Sequence, residues 1–382
     1  MKRVQIISDR ALARLRQGAL QAWRRQDYPE YFKIMEQASR QDPANPAILL
    51  DMGAAYGMRY DYAEAQRCFD KAVRVSPTKN NALIMAGTQS RGFDRYEMAR
   101  HYFEQAVKEP GASSDTYVKL AEIYERFRLL DEASDLVDQA LRLNPACALA
   151  SLVGARLDRL SGRVEAAERR LRPLLSQSGK DTWSTRIRGW YELGAVLDAQ
   201  GRYDEAMAAF LEAKAMILPN ASQYIASQKV VHLRLKIVAE KLNARTVGRW
   251  MAQEADREPP CRLALLCGHP RSGTTLLEQV LDSHPDFVSA EETSIFLRES
   301  YMSLVRRSPP ETLMLDVLES ASPGDLRQAR QNYAACMTKF LGRPPDGRIL
   351  IDKNPSLTGL VPGFMRVFPE AKLLVALRDP LP

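Results

Sequence analysis

The stretch GHPRSGTTLL (residues 268–277) lies between a short apolar run and a segment with helical spacing. The run before it, LALLC (263–267), has the length and apolar character of a buried strand. The apolar residues after it follow a helical period: Leu276, Leu277, Val280 and Leu281. A strand, a glycine-containing loop and a helix N-terminus together bind phosphate, because backbone N–H groups converge on the anion and the helix dipole favours negative charge. The stretch therefore predicts a phosphate-binding loop.

The two glycines of this loop, Gly268 and Gly273, have the spacing of the nucleotide P-loop motif, G-x-x-x-x-G-K-[ST]. Thr274 stands where that motif has the lysine that reaches the terminal phosphates of a nucleoside triphosphate. Arg271 supplies a cation inside the loop instead. The replacement of the lysine by Thr274, together with Arg271 inside the loop, indicates a phosphate donor other than a nucleoside triphosphate.

The longer stretch PRSGTTLLEQVLDSHP (270–285), followed by EET (291–293), resembles the 5′-phosphosulfate-binding loop of sulfotransferases that use 3′-phosphoadenosine-5′-phosphosulfate (PAPS). It is most similar to protein-tyrosine sulfotransferases and to bacterial sulfotransferases with tetratricopeptide repeats. Further motifs follow in the family's order: DKNP (352–355), FPEAK (368–372) and RDP (378–380). The resemblance spans about residues 262–382 and implies a PAPS-dependent sulfotransferase that releases adenosine 3′,5′-bisphosphate.

Residues 12 to about 220 repeat with a period of 34. Small and aromatic residues keep this step: Ala65, Ala99, Ala133 and Ala167; Ala38, Ala72, Ala106 and Ala140; Gly53, Gly87 and Ala121; Phe69 and Phe103. This is the tetratricopeptide pattern, in which each unit is a helical hairpin. Six units are predicted: 12–45, 46–79, 80–113, 114–147, 148–181 and 187–220.

The repeat array has two open interpretations: a concave surface that binds a protein or peptide, or a scaffold that packs on the catalytic domain or dimerises. Residues 221–255 have an amphipathic helical pattern and are interpreted as a capping helix and connector. Glu258-Pro259-Pro260 breaks that pattern, so we expect a domain boundary near residue 256.

Residues 256–382 alternate between strand and helix patterns, which predicts a parallel α/β sheet. Predicted strands are 263–267, 287–289, 348–352 and 372–377, and predicted helices are 274–283, 293–306, 310–320, 325–341 and 356–367. The predicted fold is a tetratricopeptide α-solenoid followed by a P-loop-like α/β domain. Arg271, Glu292, Lys353 and Arg378 each fall just beyond a predicted strand, at the edge where such sheets bind ligands.

The resemblance implies that the 5′-phosphate and sulfonate are held by the loop and the start of its helix. Arg271 would supply charge, the residues from Ser272 to Leu276 backbone N–H groups, and Thr274 and Thr275 hydroxyls. The predicted donor-binding residues are Arg271, Ser272, Gly273, Thr274, Thr275, Leu276 and Arg378. The alternative is an ordinary glycine turn before a capped helix.

The resemblance also assigns catalytic roles. Glu292 matches the general base of protein-tyrosine sulfotransferases, and the adjacent Glu291 is its rival; the alternative is that both are acids at a helix N-terminus. Lys353 would neutralise charge on the bridging oxygen of the leaving phosphate, alongside Arg271; the alternative is a solvated lysine in a turn.

Arg378 matches the start of the family's 3′-phosphate motif, and its alternative is a surface arginine. The family continues well beyond Arg-Asp-Pro, whereas this sequence stops at Pro382, so the resemblance implies a C-terminally truncated domain. No metal is expected, because Arg and Lys supply the positive charge and the four histidines show no ligand spacing. His284 is interpreted as a helix-end packing residue.

The composition is that of an ordinary folded chain: 382 residues, 45% apolar, 26% charged, with a net charge of +7. The basic residues form no block that would indicate nucleic-acid binding. No signal peptide and no run of roughly 18 apolar residues is present. The five cysteines show no metal spacing, so they are interpreted as small buried residues in a reducing compartment, and we expect a cytoplasmic protein.

Three functions compete at this point. The first is a PAPS-dependent sulfotransferase whose repeat array recruits a protein or peptide. The second is a repeat-based interaction scaffold with a remnant catalytic domain. The third is a P-loop kinase, disfavoured by Thr274 and by the absence of a clear Mg²⁺-binding acid after a strand. The acceptor hydroxyl is left open between tyrosine, sugar and lipid, with a slight preference for peptides.

Overall fold

The computed structural model describes residues 9–176, 183–252, 262–306, 308–309 and 312–379. The chain divides into two compact units, Met1–Ser222 and Gln223–Pro382. The segment Glu258-Pro259-Pro260, on which the predicted boundary near residue 256 rests, lies outside the described residues.

The first unit is built from helical hairpins. Its described residues form six: α1 (Asp9–Arg24) with α2 (Tyr28–Gln41), α3 (Pro46–Met58) with α4 (Tyr62–Val75), α5 (Lys79–Gly92) with α6 (Tyr96–Ala106), α7 (Ser114–Arg126) with α8 (Leu130–Leu143), α9 (Ala148–Leu160) with α10 (Val164–Ser176), and α11 (Trp183–Ala199) with α12 (Tyr203–Ile217). Each hairpin falls on one predicted repeat. The α-solenoid predicted from the period of 34 is confirmed.

Close packing of small residues against aromatic rings joins the helices of a hairpin. A Cβ atom added to Gly53 of α3 would collide with the ring of Phe69 of α4, and one added to Gly87 would lie 2.8 Å from the ring of Phe103. Both rings are fully buried. The glycines are therefore required by the approach of the paired helix, as the repeat pattern indicates.

The turn between the paired helices contains a second signal of the same period. The middle residue of its three-residue connection has positive φ in the first four hairpins, at 59° to 67°: Gln26, Tyr60, Asp94 and Arg128. The position is occupied by Gly162 in the fifth hairpin, with φ of 78°. Left-handed backbone reverses the chain within three residues, so the connection length is set by backbone geometry rather than by one residue type.

The second unit begins with nearly all of α13 (Ser222–Lys241) and with α14 (Ala244–Ala252). The single capping helix expected over 221–255 is thus two helices, separated at Leu242 and Asn243, and they group with the second unit rather than the repeats. Trp250 of α14 is buried, whereas α13 buries none of its residues.

A four-stranded parallel sheet forms the centre of the second unit. Its strands are β1 (Leu263–Gly268), β2 (Phe287–Glu291), β3 (Ile349–Lys353) and β4 (Lys372–Ala376), in the order β2-β3-β1-β4. Every residue of β1 is buried, as expected for a strand with neighbours on both sides and helices on its faces. The predicted parallel α/β sheet is confirmed.

The remaining helices of this unit are α15 (Thr274–Asp282), α16 (Met302–Val305), α17 (Met314–Ser320), α18 (Pro323–Leu341) and α19 (Val361–Val367). Two predicted helices begin differently. The segment expected to be helical from 293 starts at Phe296 with a π-helical turn that runs to Tyr301. The segment expected from 356 starts with a 3₁₀ turn, Pro355–Leu360.

An aromatic cluster packs α18 and α19 together with the π-helical turn. The ring centroids of Phe296 and Phe364 are 4.9 Å apart, as are those of Tyr333 and Phe368. All four side chains are at most 2% exposed, so they form the core that supports β3.

We predict that Gly53→Ala destabilises the α3/α4 hairpin by about 1–3 kcal/mol, because the new methyl group displaces the buried ring of Phe69. The matched control is Gly92→Ala at the end of α5, where an added Cβ meets nothing within 4 Å. That change should leave stability unchanged or raise it by up to about 1 kcal/mol. Hydrogen exchange of α3 and α4 amides measures both; equal protection in the two variants would show that the glycine–ring contact is unimportant.

Candidate functional site

The predicted site residues lie at one edge of the sheet. Because all strands are parallel, their carboxyl ends meet there. Arg271 lies three residues after β1, Glu292 directly after β2 and Arg378 two residues after β4. Lys353 was expected beyond its strand but is the last residue of β3, where pairing with β1 and β2 holds it.

The loop after β1 is held tightly against its neighbours. Gly268 has φ of 144°, and a Cβ there would collide with the carbonyl oxygen of Ala376 in β4. The Thr358 hydroxyl accepts from the Gly268 N–H at 3.0 Å and lies 2.8 Å from the Gly268 carbonyl oxygen. Arg271 and Gly273 have φ of 73° and 94°. The loop therefore needs glycine at its first position and turns sharply into α15.

The first turn of α15 presents backbone donors. The first helical hydrogen bond runs from the Leu277 N–H to the Gly273 carbonyl, at 3.0 Å, so the N–H groups of residues 274–276 precede it and have no partner within the helix. The Ser272 N–H was expected to join them. It donates instead to the His269 carbonyl at 3.1 Å, because the loop closes a turn there. The Ser272 hydroxyl is buried without a hydrogen-bond partner.

Lys353 is the centre of the site. Its ammonium is fully buried and lies 3.0 Å from the carboxylates of Glu291 and Glu292 and 3.4 Å from the Thr275 hydroxyl. Burial alone would lower the pKa of Lys353, but hydrogen bonds to the two carboxylates and the nearby charge of Glu278 raise it above its usual value. A solvated lysine in a turn is therefore excluded, and the ammonium stays charged.

Glu278, which the sequence interpretation did not select, reaches the same ammonium from α15. Its Oε2 lies 3.3 Å from Lys353 Nζ, and its side chain is 1% exposed. Burial raises the pKa of Glu278, and the charge of Lys353 opposes that rise. The sequence feature that could have identified Glu278 is its position one helical turn after Thr274 and Thr275, next to the apolar residues Leu276 and Leu277.

Glu291 and Glu292, at the end of β2, differ in backbone conformation more than in their distance to Lys353. Both contact Lys353 at 3.0 Å, and their side chains are 53% and 59% exposed. Glu292 has φ of 48° and donates its N–H to the Lys353 carbonyl at 2.7 Å. The helical turn that follows begins only at Phe296, so a role for these acids at a helix N-terminus is weakened. Left-handed backbone at both Arg271 and Glu292 is the kind of strain that concentrates at functional sites.

Asp352 lies directly behind Lys353 in β3 and is completely buried. The Tyr333 hydroxyl donates to its Oδ2 at 2.9 Å, while its Oδ1 has no hydrogen-bond partner. Burial raises the pKa of Asp352 from 3.8 to about 7, against the hydrogen bond from Tyr333. The residue links α18 to the strand that carries Lys353.

The remaining predicted residues lie around the loop. Arg378 is exposed, and its guanidinium donates to the Arg271 carbonyl at 3.4 Å, so β4 brings it to the loop. His284 accepts from the Asp286 N–H at 3.3 Å and packs edge-on against Phe287, which agrees with a packing role. The described residues contain no group of three potential metal ligands, and no helix in that part of the chain is long and apolar enough to cross a bilayer.

Fold and site together define a helical-repeat protein with a parallel α/β domain. Residues 264–382 match the sulfotransferase family, and residues 187–216 match the tetratricopeptide repeat. The second unit thus carries a sulfotransferase-family domain, preceded in the chain by tetratricopeptide repeats.

Some relatives match about a third of the chain. Human protein-tyrosine sulfotransferase 1 is 33% identical over 118 residues, which cover 31% of each chain. The nodulation protein NoeE of Sinorhizobium fredii is 30% identical over 129 residues, 33% of this chain and 30% of that protein. The chain thus spans about a third of the length of these relatives. Among solved structures, the MamA protein overlaps 47% of this chain and 94% of its own, at 20% identity and a TM-score of 0.37.

We predict that Asp352 makes the α/β unit less stable as pH rises from about 4 to 7. In that window the unfolded chain ionises Asp352 while the folded chain keeps it protonated, so stability falls by up to about 1.4 kcal/mol per pH unit and then levels off. Asp352→Asn should remove this slope.

Hydrogen exchange of β1 and β3 amides between pH 4.5 and 8 in denaturant measures the effect, with the exposed Asp286→Asn as control. The assignment is wrong if Asp352→Asn and the parent lose stability with pH in parallel.

Proposed function

We propose that this protein is a PAPS-dependent sulfotransferase that moves a sulfonate group to an acceptor hydroxyl. One observation carries the proposal: Lys353 joins the phosphate loop to the candidate base, through Thr275 at 3.4 Å and Glu292 at 3.0 Å. A loop suited to phosphate, a buried cation and a carboxylate with an exposed face thus lie together. These are the groups that an in-line transfer from a phosphosulfate needs, since such chemistry depends on positioning and charge stabilisation.

The residues present fit the donor. The N–H groups at the start of α15 and the unpartnered hydroxyl of Ser272 would hold the 5′-phosphate, with Thr274 and Thr275 adding hydroxyls. Arg271 would contribute charge to the same loop, and Arg378 would take the 3′-phosphate, for which a guanidinium fork is suited. The bound donor would supply the sulfonate, and no metal is required in this scheme.

The catalytic step would rest on Glu292, Lys353 and Arg271. Glu292, more than half exposed, can accept the proton of an acceptor hydroxyl as its oxygen bonds to sulfur. Lys353 and Arg271 would stabilise the charge that develops on the phosphate as the sulfonate leaves. Glu291 is equally close to Lys353, and its position at the end of β2, paired with Lys353, favours a role in holding the lysine.

The repeat array would bring a protein or peptide acceptor to the enzyme. Tetratricopeptide hairpins stack into extended concave surfaces suited to such partners. The similarity to protein-tyrosine sulfotransferases supports a peptide hydroxyl, although sugar and lipid hydroxyls stay open. A cytoplasmic location stays a prediction from the sequence.

The donor is tested by binding of adenosine 3′,5′-bisphosphate in metal-free buffer. We expect binding without added metal and a loss of about ten- to a hundredfold in affinity for Arg271→Ala, because one charge-assisted contact is removed. Arg343→Ala is the matched control: this exposed arginine lies in the connection that enters β3, at the opposite end of the strand. Binding of ATP that requires Mg²⁺ and exceeds bisphosphate binding would falsify the proposal in favour of a kinase.

The base is tested by Glu292→Gln in the full-length protein. Transfer of radiolabelled sulfonate should fall by about 10²- to 10⁴-fold because the proton acceptor is lost, while bisphosphate affinity is largely retained because Glu278 and Glu291 still pair with Lys353. Glu291→Gln should reduce transfer much less. Equal losses in the two variants would assign the role to the pair, and an unimpaired Glu292→Gln would place the base elsewhere. Bisphosphate binding without any transfer by the parent would favour the scaffold with a remnant site.

A further inference from the structure

One charged group of the site has no role in the mechanism described above. Glu278 is on α15, the helix whose N-terminus forms the phosphate loop, and its carboxylate faces Lys353 at 3.3 Å. A buried carboxylate is costly unless it meets a specific need, so its position calls for an explanation.

Glu278 interacts with Lys353 through its charge more than through a hydrogen bond. The three N–H groups of the ammonium have Thr275, Glu291 and Glu292 as hydrogen-bond partners. Glu278 Oε2 is within ion-pair distance but has no hydrogen-bond partner. It therefore contributes a fixed negative charge beside an ammonium whose donors are already engaged.

The three carboxylates differ in their freedom to move. Glu291 and Glu292 are 53% and 59% exposed, whereas Glu278 is 1% exposed and sits in the middle of a helix. In the proposed reaction Glu292 turns to an acceptor hydroxyl and Lys353 to the donor. The contact between Glu292 and Lys353 then weakens, and a buried lysine that loses counter-ions tends to lose its proton.

We propose that Glu278 is a positioning residue: the immobile counter-ion that keeps Lys353 charged and directed at the phosphate loop while Glu292 turns to the acceptor. This inference rests on the proposed function. It also explains why the glutamate is on α15, since one helix then carries both the phosphate-binding N–H groups and the charge that holds the lysine beside them.

The other charged groups around Glu278 are consistent with this role. Glu291 adds a negative charge from β2, and Lys353 is the cation nearby. Asp352 of β3 is the fourth carboxylate of the region, and below about pH 7 burial keeps it protonated and neutral. Among the described residues, Glu278 is therefore the fully buried carboxylate within ion-pair distance of Lys353.

The direct test is the titration of Lys353 Nζ, followed by ¹⁵N NMR in the donor-free protein. In the parent the ammonium should titrate above the ordinary value for lysine, and Glu278→Gln should lower its pKa by roughly one pH unit or more. Glu291→Gln, which removes an exposed partner, should lower it less. An unchanged titration in Glu278→Gln, or an equal shift in Glu291→Gln, would overturn the proposal.

Two further measurements guard against a variant that does not fold. A parent ammonium that titrates below the usual lysine range contradicts the proposal with no variant at all. Glu278→Asp, which keeps the charge one methylene group farther from Lys353, should recover part of the shift seen in Glu278→Gln; recovery no better than with glutamine would contradict a role through charge.

Binding of adenosine 3′,5′-bisphosphate then links the titration to function. Above about pH 9, the affinity of Glu278→Gln should begin to fall about one pH unit earlier than that of the parent, because Lys353 loses its charge at lower pH in the variant. In a Lys353→Met background Glu278→Gln should add no further pH dependence, since its effect passes through the lysine. A parent that binds no bisphosphate defeats the proposed function, whereas the NMR titration still decides the role of Glu278.

Discussion

The structure of the α/β unit depends on one buried ammonium. Lys353 has no contact with solvent, and such a charge is tolerated only where carboxylates and hydroxyls surround it. Its partners come from β2 and from α15, so the parallel register that pairs Glu291 with Lys353 and the position of the loop helix must both be maintained. The same constraint brings the phosphate loop and the candidate base together, and stability and function therefore share these contacts.

A steric constraint sets the other half of the site. The carbonyl of Ala376 in β4 leaves no room for a side chain at Gly268, and the Thr358 hydroxyl is hydrogen-bonded to both the N–H and the carbonyl of Gly268. The loop therefore leaves β1 in one direction only and enters α15 with its first N–H groups free for an anion. The repeat unit relies on steric fit of another kind, in which glycines of one helix accept phenylalanine rings of the next. In each unit, the positions that admit only small residues are those where two backbones or a backbone and a ring meet.

Much of this organisation could be predicted from the sequence, because it is encoded in local periodicity. The strand ends are within two residues of those expected, since each strand is a short apolar run between turn residues. The helical hairpins could be predicted because small and aromatic residues recur every 34 positions. Glu278 was missed because a lone glutamate on a helix normally faces solvent, and only tertiary packing shows that this one faces Lys353. The engaged N–H of Ser272 and the π-helical turn at Phe296 likewise depend on how the chain closes, which no spacing rule records.

The most direct measurement of the central claim is a crystal structure of the protein with adenosine 3′,5′-bisphosphate. We expect the 5′-phosphate at the N–H groups of residues 274–276, with Arg271 and Lys353 in contact with it and the 3′-phosphate on the side of Arg378. Glu278 should stay beside Lys353 even where Glu292 has moved. A phosphate bound away from the start of α15, or a Lys353 that leaves Glu278 to reach it, would contradict the account.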